Sequence, residues 1–289
     1  MGRLALAVVS LLVAAPITVQ AAPLEIVAAE NFYGDIATQV GGPAVHVTSI
    51  LASPDEDPHL FAVSPSVGRA VAAARIVIYN GIGYDPWTQA LLATASGNGR
   101  RTIVVGDLLG RHNGDNPHIW YDPATMPAAA RALEQALGAL DPAHAPDYAA
   151  RLDRFIASLQ PIRARIAALR HRLAGTPVTA TEPVFGYMFA ALGLNVKNLR
   201  FQMAMMNNTE PGAADVAAFE HDLRTRQIAL LVYNGQASSP IARRMKGIAR
   251  AAGVPVIGVS ETEPPGTSYQ SWMLGALDAV AGALPAHTQ

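Results

Sequence analysis

The sequence predicts an α/β protein of two lobes with parallel sheets, joined by a long rigid helix, with a metal site in the cleft between the lobes. Three observations predict it. Short apolar, β-branched runs alternate with helical stretches of about ten residues in both halves of the chain, the pattern of parallel sheet built from crossover units. A long Ala, Leu and Arg-rich helical stretch, from Pro123 to Leu173, interrupts that alternation at the centre. Four metal-competent side chains fall where strands or their loops end, two in each half, where open α/β sheets place their ligands.

Element by element, Leu24 to Ala29 reads as a strand, and Phe32 to Val40 as a helix ended by Gly41-Gly42. Val47 to Leu51 is a strand, Val63 to Ala74 a helix, Ile76 to Tyr79 a buried strand and Trp87 to Ala95 a helix. Thr102 to Val105 and the short His118 to Tyr121 complete the strands of the first half. Asp141-Pro142 and Ala145-Pro146 break the central helical stretch, leaving Ala145 to Leu173 as a helix that Pro161 should kink. A helix of that length is too stiff for a widely opening hinge. After Gly175-Thr176-Pro177 the alternation resumes with strands Val178 to Thr181, Ile228 to Tyr233 and Val254 to Val259. Helices Phe185 to Leu192, Ala213 to Arg224, Ile241 to Ala252 and Tyr269 to Leu284 lie among them. The organisation expected is a signal peptide over 1–21, an N-terminal lobe over 22–144, a linking helix over 145–174 and a C-terminal lobe over 175–289.

The signal peptide rests on Arg3, the apolar run Leu4 to Val19 and small residues around Val19-Gln20-Ala21, and it sends the chain to the periplasm. With 51% hydrophobic residues the chain is too apolar to be disordered, and no later run reaches the ~18 apolar residues of a membrane span. A net charge of −1 supplies no basic field for nucleic acid. The absence of cysteine excludes disulfides, thiolate nucleophiles, thiolate zinc sites and a lipid-modified cysteine, so any metal is held by His and carboxylates.

The four candidate ligands are His59 in Asp57-Pro58-His59, His118 in Asn116-Pro117-His118-Ile119-Trp120, Glu182 after Val178 to Thr181, and Glu261 after Val256 to Ser260. Two neutral imidazoles and two carboxylates offset the charge of a divalent cation. Pro58 and Pro117 stiffen the loops just before each histidine, and Pro183 does the same after Glu182. Asp57 and Asp122 are candidates to accept the imidazoles' second N–H. The remaining histidines, 46, 112, 144, 171, 221 and 287, read as surface or structural, with His112 able to touch metal in passing. Gly81-Ile82-Gly83 lacks the third glycine of a dinucleotide loop and reads as a turn, and no Gly-x-Ser-x-Gly, P-loop or His-Glu-x-x-His is present.

From about Leu24 to Leu284 the chain resembles the metal-binding substrate-binding proteins of ABC transporters, the cluster A-I family of zinc and manganese uptake. The likeness is carried by Asp57-Pro58-His59, by Asn116 to Pro123, by Phe185-Gly186-Tyr187 just after the third ligand, by Glu210-Pro211, and by Ser268-Tyr269 before the last helix. It implies two α/β lobes bridged by a rigid helix, capture of a divalent metal by His59, His118, Glu182 and Glu261, and delivery to a membrane permease by a monomer with no enzymatic activity. The departures are informative. The third position is often His in zinc-handling members and is Glu182 here. The fourth is usually Asp before Pro, whereas this chain has Glu261-Thr262-Glu263-Pro264; strand register favours Glu261, and Glu263 directly precedes the proline. Tyr233-Asn234-Gly235-Gln236 stands where a Glu-Pro pair is common, and the family's His-rich loop is absent. Two carboxylates favour Mn²⁺ or Fe²⁺ as cargo, with Zn²⁺ the alternative. The rival functions are a metal-dependent hydrolase, whose open position four protein ligands would fill, and an adhesin-like surface protein.

Overall fold

A computed structural model of the chain describes residues 22–55, 58–95, 99–237 and 239–284; the expected signal peptide, Asp57 and the His59 side chain lie outside the described part. The N-terminal lobe carries a four-stranded parallel sheet of β1 (Leu24–Glu30), β2 (Val45–Leu51), β3 (Ile76–Tyr79) and β4 (Arg101–Val104), in the order β2-β1-β3-β4. The C-terminal lobe repeats it with β5 (Pro177–Ala180), β6 (Asn195–Val196), β7 (Leu230–Asn234) and β8 (Val256–Val259), in the order β6-β5-β7-β8. In each sheet the strand order reverses between the first and third strands. The crevice at such a switch point lies beyond the carboxyl ends of β1 and β3 in one lobe, and of β5 and β7 in the other.

Helices Asn31–Gly41, Pro65–Ala73 and Pro86–Thr94 make the crossovers of the first lobe. Its sheet is a buried apolar layer, with Ile76 to Ile78 fully buried and Tyr79 nearly so. The predicted strands of both lobes are present within a few residues of their predicted bounds, with one exception. His118 to Tyr121 is not a strand: Ile119–Tyr121 is a single 3-10 turn, because Asn116 Oδ1 takes the His118 N–H and folds the chain back after Pro117. The apolar run there is buried for another reason. Trp120 and Tyr121 are hub residues of an aromatic seam in which Phe32 meets Trp120 at 4.9 Å, and Tyr121 meets Phe185 at 4.8 Å and Trp272 at 5.4 Å between ring centroids.

The central stretch forms helices Thr125–Leu140, Ala145–Ser158 and Gln160–Leu173. Pro161 offers no N–H and its ring crowds the carbonyl one turn back, so the last two are interrupted at Leu159, as the proline predicts. The last helix, Tyr269–Ala283, opens on a capping box at Ser268 and packs back onto Gln160–Leu173. One hydrophobic cluster runs unbroken from Ile26 and Phe32 through Trp120 and Phe185 to Trp272 and Leu277, so the lobes share a core. Among the described residues no helix is long and apolar enough to cross a membrane.

Candidate metal site between the lobes

The C-terminal lobe supplies both carboxylates from the carboxyl ends of its strands. Glu182 follows β5 by two residues, Asn234 is the last residue of β7, and Glu261 follows β8 by two residues. All three are buried, Glu261 fully. The Asn234 amide joins them: Nδ2 donates to Glu182 Oε2 at 2.9 Å and to Glu261 Oε1 at 2.5 Å. Its Oδ1 accepts the Gln236 N–H at 3.0 Å, which fixes which way round the amide sits. Gln236 Oε1 in turn accepts the backbone N–H groups of Glu261 (2.6 Å) and Thr262 (3.1 Å), so the loop carrying Glu261 is pinned to the end of β7.

The N-terminal lobe brings His118 against this pair. Its Nε2 lies 3.6 Å from Glu261 Oε2, with both side chains fully buried. Two bonds of about 2.1 Å from one cation, to an imidazole nitrogen and a carboxylate oxygen, set those atoms about 3–3.5 Å apart, close to the spacing found. Tyr84 donates its hydroxyl to the same Oε2 at 2.8 Å, and burial together with the Glu261 charge holds the phenol well above its usual pKa, as a donor.

The His118 tautomer follows from Asn116. Asn116 Nδ2 donates to Pro183 O in the opposite lobe at 2.7 Å, so its Oδ1 faces His118 and accepts Nδ1–H at 2.6 Å. Nδ1 then carries the proton, and Nε2 presents its lone pair toward Glu261. The sequence reading gave this supporting role to Asp122. Asp122 instead accepts the Ala124 N–H and lies 3.7 Å from Arg111, because the turn after His118 points it away from the ring. Gly186 explains part of the Phe185-Gly186-Tyr187 motif: a Cβ there would come to 3.0 Å from Asn116 Nδ2, and Tyr187 donates its hydroxyl to Asn116 O at 2.8 Å.

Of the four predicted ligands, the structure brings His118, Glu182 and Glu261 to one place. His59 has its backbone in the 3-10 turn Pro58–Leu60, on the loop after β2. Among the described residues no three His, Asp or Glu side chains form a ready-made metal cluster, and the Asn234 amide stands between the two carboxylates. Glu263 has its backbone tied to the N-terminal lobe. Its backbone N–H and carbonyl are both taken by the Asn31 side chain, at 3.0 and 2.7 Å, and burial with the nearby Asp35 charge pushes its carboxyl up to about 8.

Tyr84, Asn116, Asn234 and Gln236 were not predicted as site residues. The only sequence signal for the last two was their place in a segment that departs from the family pattern. The N-terminal lobe holds an echo of the same layout. Glu30 ends β1 as Glu182 follows β5, and Asn80 follows β3 as Asn234 ends β7. There the carboxyl is sealed in. Glu30 is fully buried and held protonated well above the usual range by burial and by Asp85, while burial pushes Asp85 up to about 6 although it accepts the Asn80 and Gly81 N–H groups.

Two α/β lobes, each on its own parallel sheet, with His118 facing Glu261 between them, define a two-lobed α/β fold with a buried polar site at the lobe boundary. The chain belongs to the ZnuA family, described as zinc-uptake complex component A, periplasmic, whose model matches residues 26–283. That description names a component of a zinc-uptake complex and not a metallohydrolase. A putative metal-binding protein of Treponema pallidum is 26% identical over 212 residues, covering 65% of this chain and 64% of that protein, so the match spans less than two thirds of the relative's length. The manganese-binding lipoprotein MntA of Halalkalibacterium halodurans is 28% identical over 142 residues, 48% of this chain and 47% of that one. Among solved structures, the periplasmic zinc-binding protein TroA of Treponema pallidum superposes with a TM-score of 0.76 at 18% identity, covering 91% of this chain and 99% of that one.

Proposed function

We propose that the protein works in the periplasm as the substrate-binding component of an ABC transporter, capturing a divalent transition metal between its lobes and delivering it, as a monomer, to a membrane permease. His59 and His118 supply nitrogens and Glu182 and Glu261 supply oxygens. The observation that carries this reading is the pairing of His118 Nε2 with Glu261 Oε2 across the interlobe boundary, with the imidazole proton parked on Nδ1 by Asn116. A fully buried lone pair facing a fully buried anion is arranged for a cation. Binding is the whole chemistry, since four protein ligands leave no open position for water activation.

Zinc and manganese are the metals named for the relatives above. Glu182 in place of a third imidazole makes the donor set harder and favours Mn²⁺ or Fe²⁺, while the Irving–Williams order keeps Zn²⁺ the tighter binder in the test tube. Thermal unfolding of metal-stripped protein, alone and with Mn²⁺, Fe²⁺ or Zn²⁺, tests the reading. Binding only the folded state adds about 4 kcal/mol at a thousandfold excess over Kd. Superimposable melts for all three metals would sink it.

A further inference from the structure

Resting on that metal-binding reading, we propose that Asn234 is a selectivity residue: its amide holds one oxygen of Glu182 and one of Glu261 away from the metal, limiting each carboxylate to single-oxygen ligation. The argument is one of donor and acceptor counting. Nδ2 has two hydrogens, and one goes to each carboxylate, at 2.9 Å and 2.5 Å. The amide cannot turn over to release them, because Oδ1 is held by the Gln236 N–H at 3.0 Å. The residue is 3% exposed and forms the end of a central strand, so it has no room to swing aside. The oxygen of Glu261 that Asn234 takes is Oε1; the one facing His118 is Oε2, which also accepts the Tyr84 hydroxyl at 2.8 Å and keeps a second lone pair toward the imidazole.

Zn²⁺ is content with four donors, whereas Mn²⁺ and Fe²⁺ gain from more oxygens, which carboxylates supply by chelating with both. An amide that withholds the second oxygen of each carboxylate therefore holds back the preference for the larger, harder ions that the Glu182 charge alone would give. It also lets two buried anions stand together before metal arrives, since each receives a donor hydrogen bond. An aspartate of the same shape would instead place a third negative charge between them.

The test compares wild type, Asn234→Ala and Asn234→Ser. Zn²⁺ and Mn²⁺ affinities are measured by competition with a chromophoric chelator, and the visible spectrum of the Co²⁺ form reports coordination number, four-coordinate Co²⁺ absorbing far more strongly than six-coordinate. The expected result is a rise of about tenfold in Mn²⁺ affinity relative to Zn²⁺ in Asn234→Ala, the scale of one charge-assisted hydrogen bond, with a weaker Co²⁺ band. Serine has one donor and can restrain only one carboxylate, so it should fall between, and it keeps the test available if the alanine variant does not fold. An unchanged Mn²⁺ to Zn²⁺ ratio and an unchanged Co²⁺ spectrum in a variant that binds metal would overturn the proposal while leaving the metal-binding reading intact. Failure of wild type to bind any of these metals would overturn both.

Discussion

His118 Nε2 and Glu261 Oε2 face each other at 3.6 Å, one from each lobe, and neither side chain has any solvent exposure. Glu261 and Glu263, the two carboxylates between which the sequence leaves a choice, have different surroundings. Glu261 faces the imidazole, whereas burial and the nearby Asp35 charge push the Glu263 carboxyl up to about 8. Glu261→Gln should therefore weaken metal binding on the order of 100-fold or more, beyond what loss of a supporting group costs. Glu263→Gln replaces a carboxyl that is already neutral at pH 7, and should leave affinity within about threefold there. Isothermal titration of both variants with Zn²⁺ decides the matter, and equal losses would remove the distinction.

Asn116 ties ring orientation to lobe contact, since one end of its amide holds His118 Nδ1 and the other holds Pro183 O. Asn116→Leu keeps much of the volume but loses both bonds. It should cost 10–100-fold in metal affinity, the usual penalty for removing the group that orients a ligating imidazole. Asn116→Asp keeps the acceptor for Nδ1–H and should recover most of that loss, at the expense of the Pro183 bond. If leucine and aspartate weaken binding equally, the imidazole contact is not what matters.

Much of this fold is legible in the sequence, because strands such as Ile76 to Tyr79 and Leu230 to Asn234 are apolar runs bounded by turn residues, and their buried pattern matches. Two residues of β6 and the helix Leu199–Met206 were not predicted; the first is too short for periodicity to register, and the second starts after Asn198, whose left-handed conformation leaves its side chain making no cap hydrogen bond. The candidate ligands are named from the sequence because each is a metal-competent side chain just beyond an apolar run or in a proline-stiffened loop. Asn234 and Asn116 could not be named so, because each amide has one end on a neighbour two residues along and the other on a group the fold brings in, Glu261 from 27 residues away and Pro183 from 67. Glu30 was invisible for the opposite reason: in a strand ending Ala28-Ala29-Glu30-Asn31 it reads as a solvated strand end, and only the sheet's switch point buries it.

That burial makes stability depend on pH in a predictable direction. Both Glu30 and Asp85 have raised pKa values, Asp85 to about 6, so between about pH 4 and their folded values the native state binds more protons than the unfolded chain. Their contribution is therefore most favourable at the acid end and is lost as pH rises through that window. For Asp85 alone this amounts to on the order of 2–3 kcal/mol, at about 1.4 kcal/mol per unit. Glu30→Gln keeps the size of the side chain without a titrating proton. Its stability relative to wild type should rise steadily as metal-free protein is unfolded by urea at pH 5, 6, 7 and 8. A constant difference across that range would mean that Glu30 does not keep its proton.

Glu182→His tests which metal the site is built for. The substitution removes one negative charge and one hard donor and supplies a single borderline nitrogen, so the set becomes three imidazoles and one carboxylate, a common tetrahedral arrangement for Zn²⁺. It also breaks the Glu182 to Asn234 hydrogen bond, because a neutral imidazole can accept the amide proton only through a nitrogen that would otherwise bind metal. Asn234 still restrains Glu261, so the expected shift comes from the softer donor. Test-tube affinity is a poor witness, because Zn²⁺ outbinds Mn²⁺ at nearly any such site. Cellular accumulation is the better one: a strain lacking the gene, complemented with wild type, should regain Mn or Fe, and complemented with Glu182→His should shift toward Zn. Recovery of zinc alone by wild type, with no change on substitution, would show that ligand hardness at position 182 does not set the cargo.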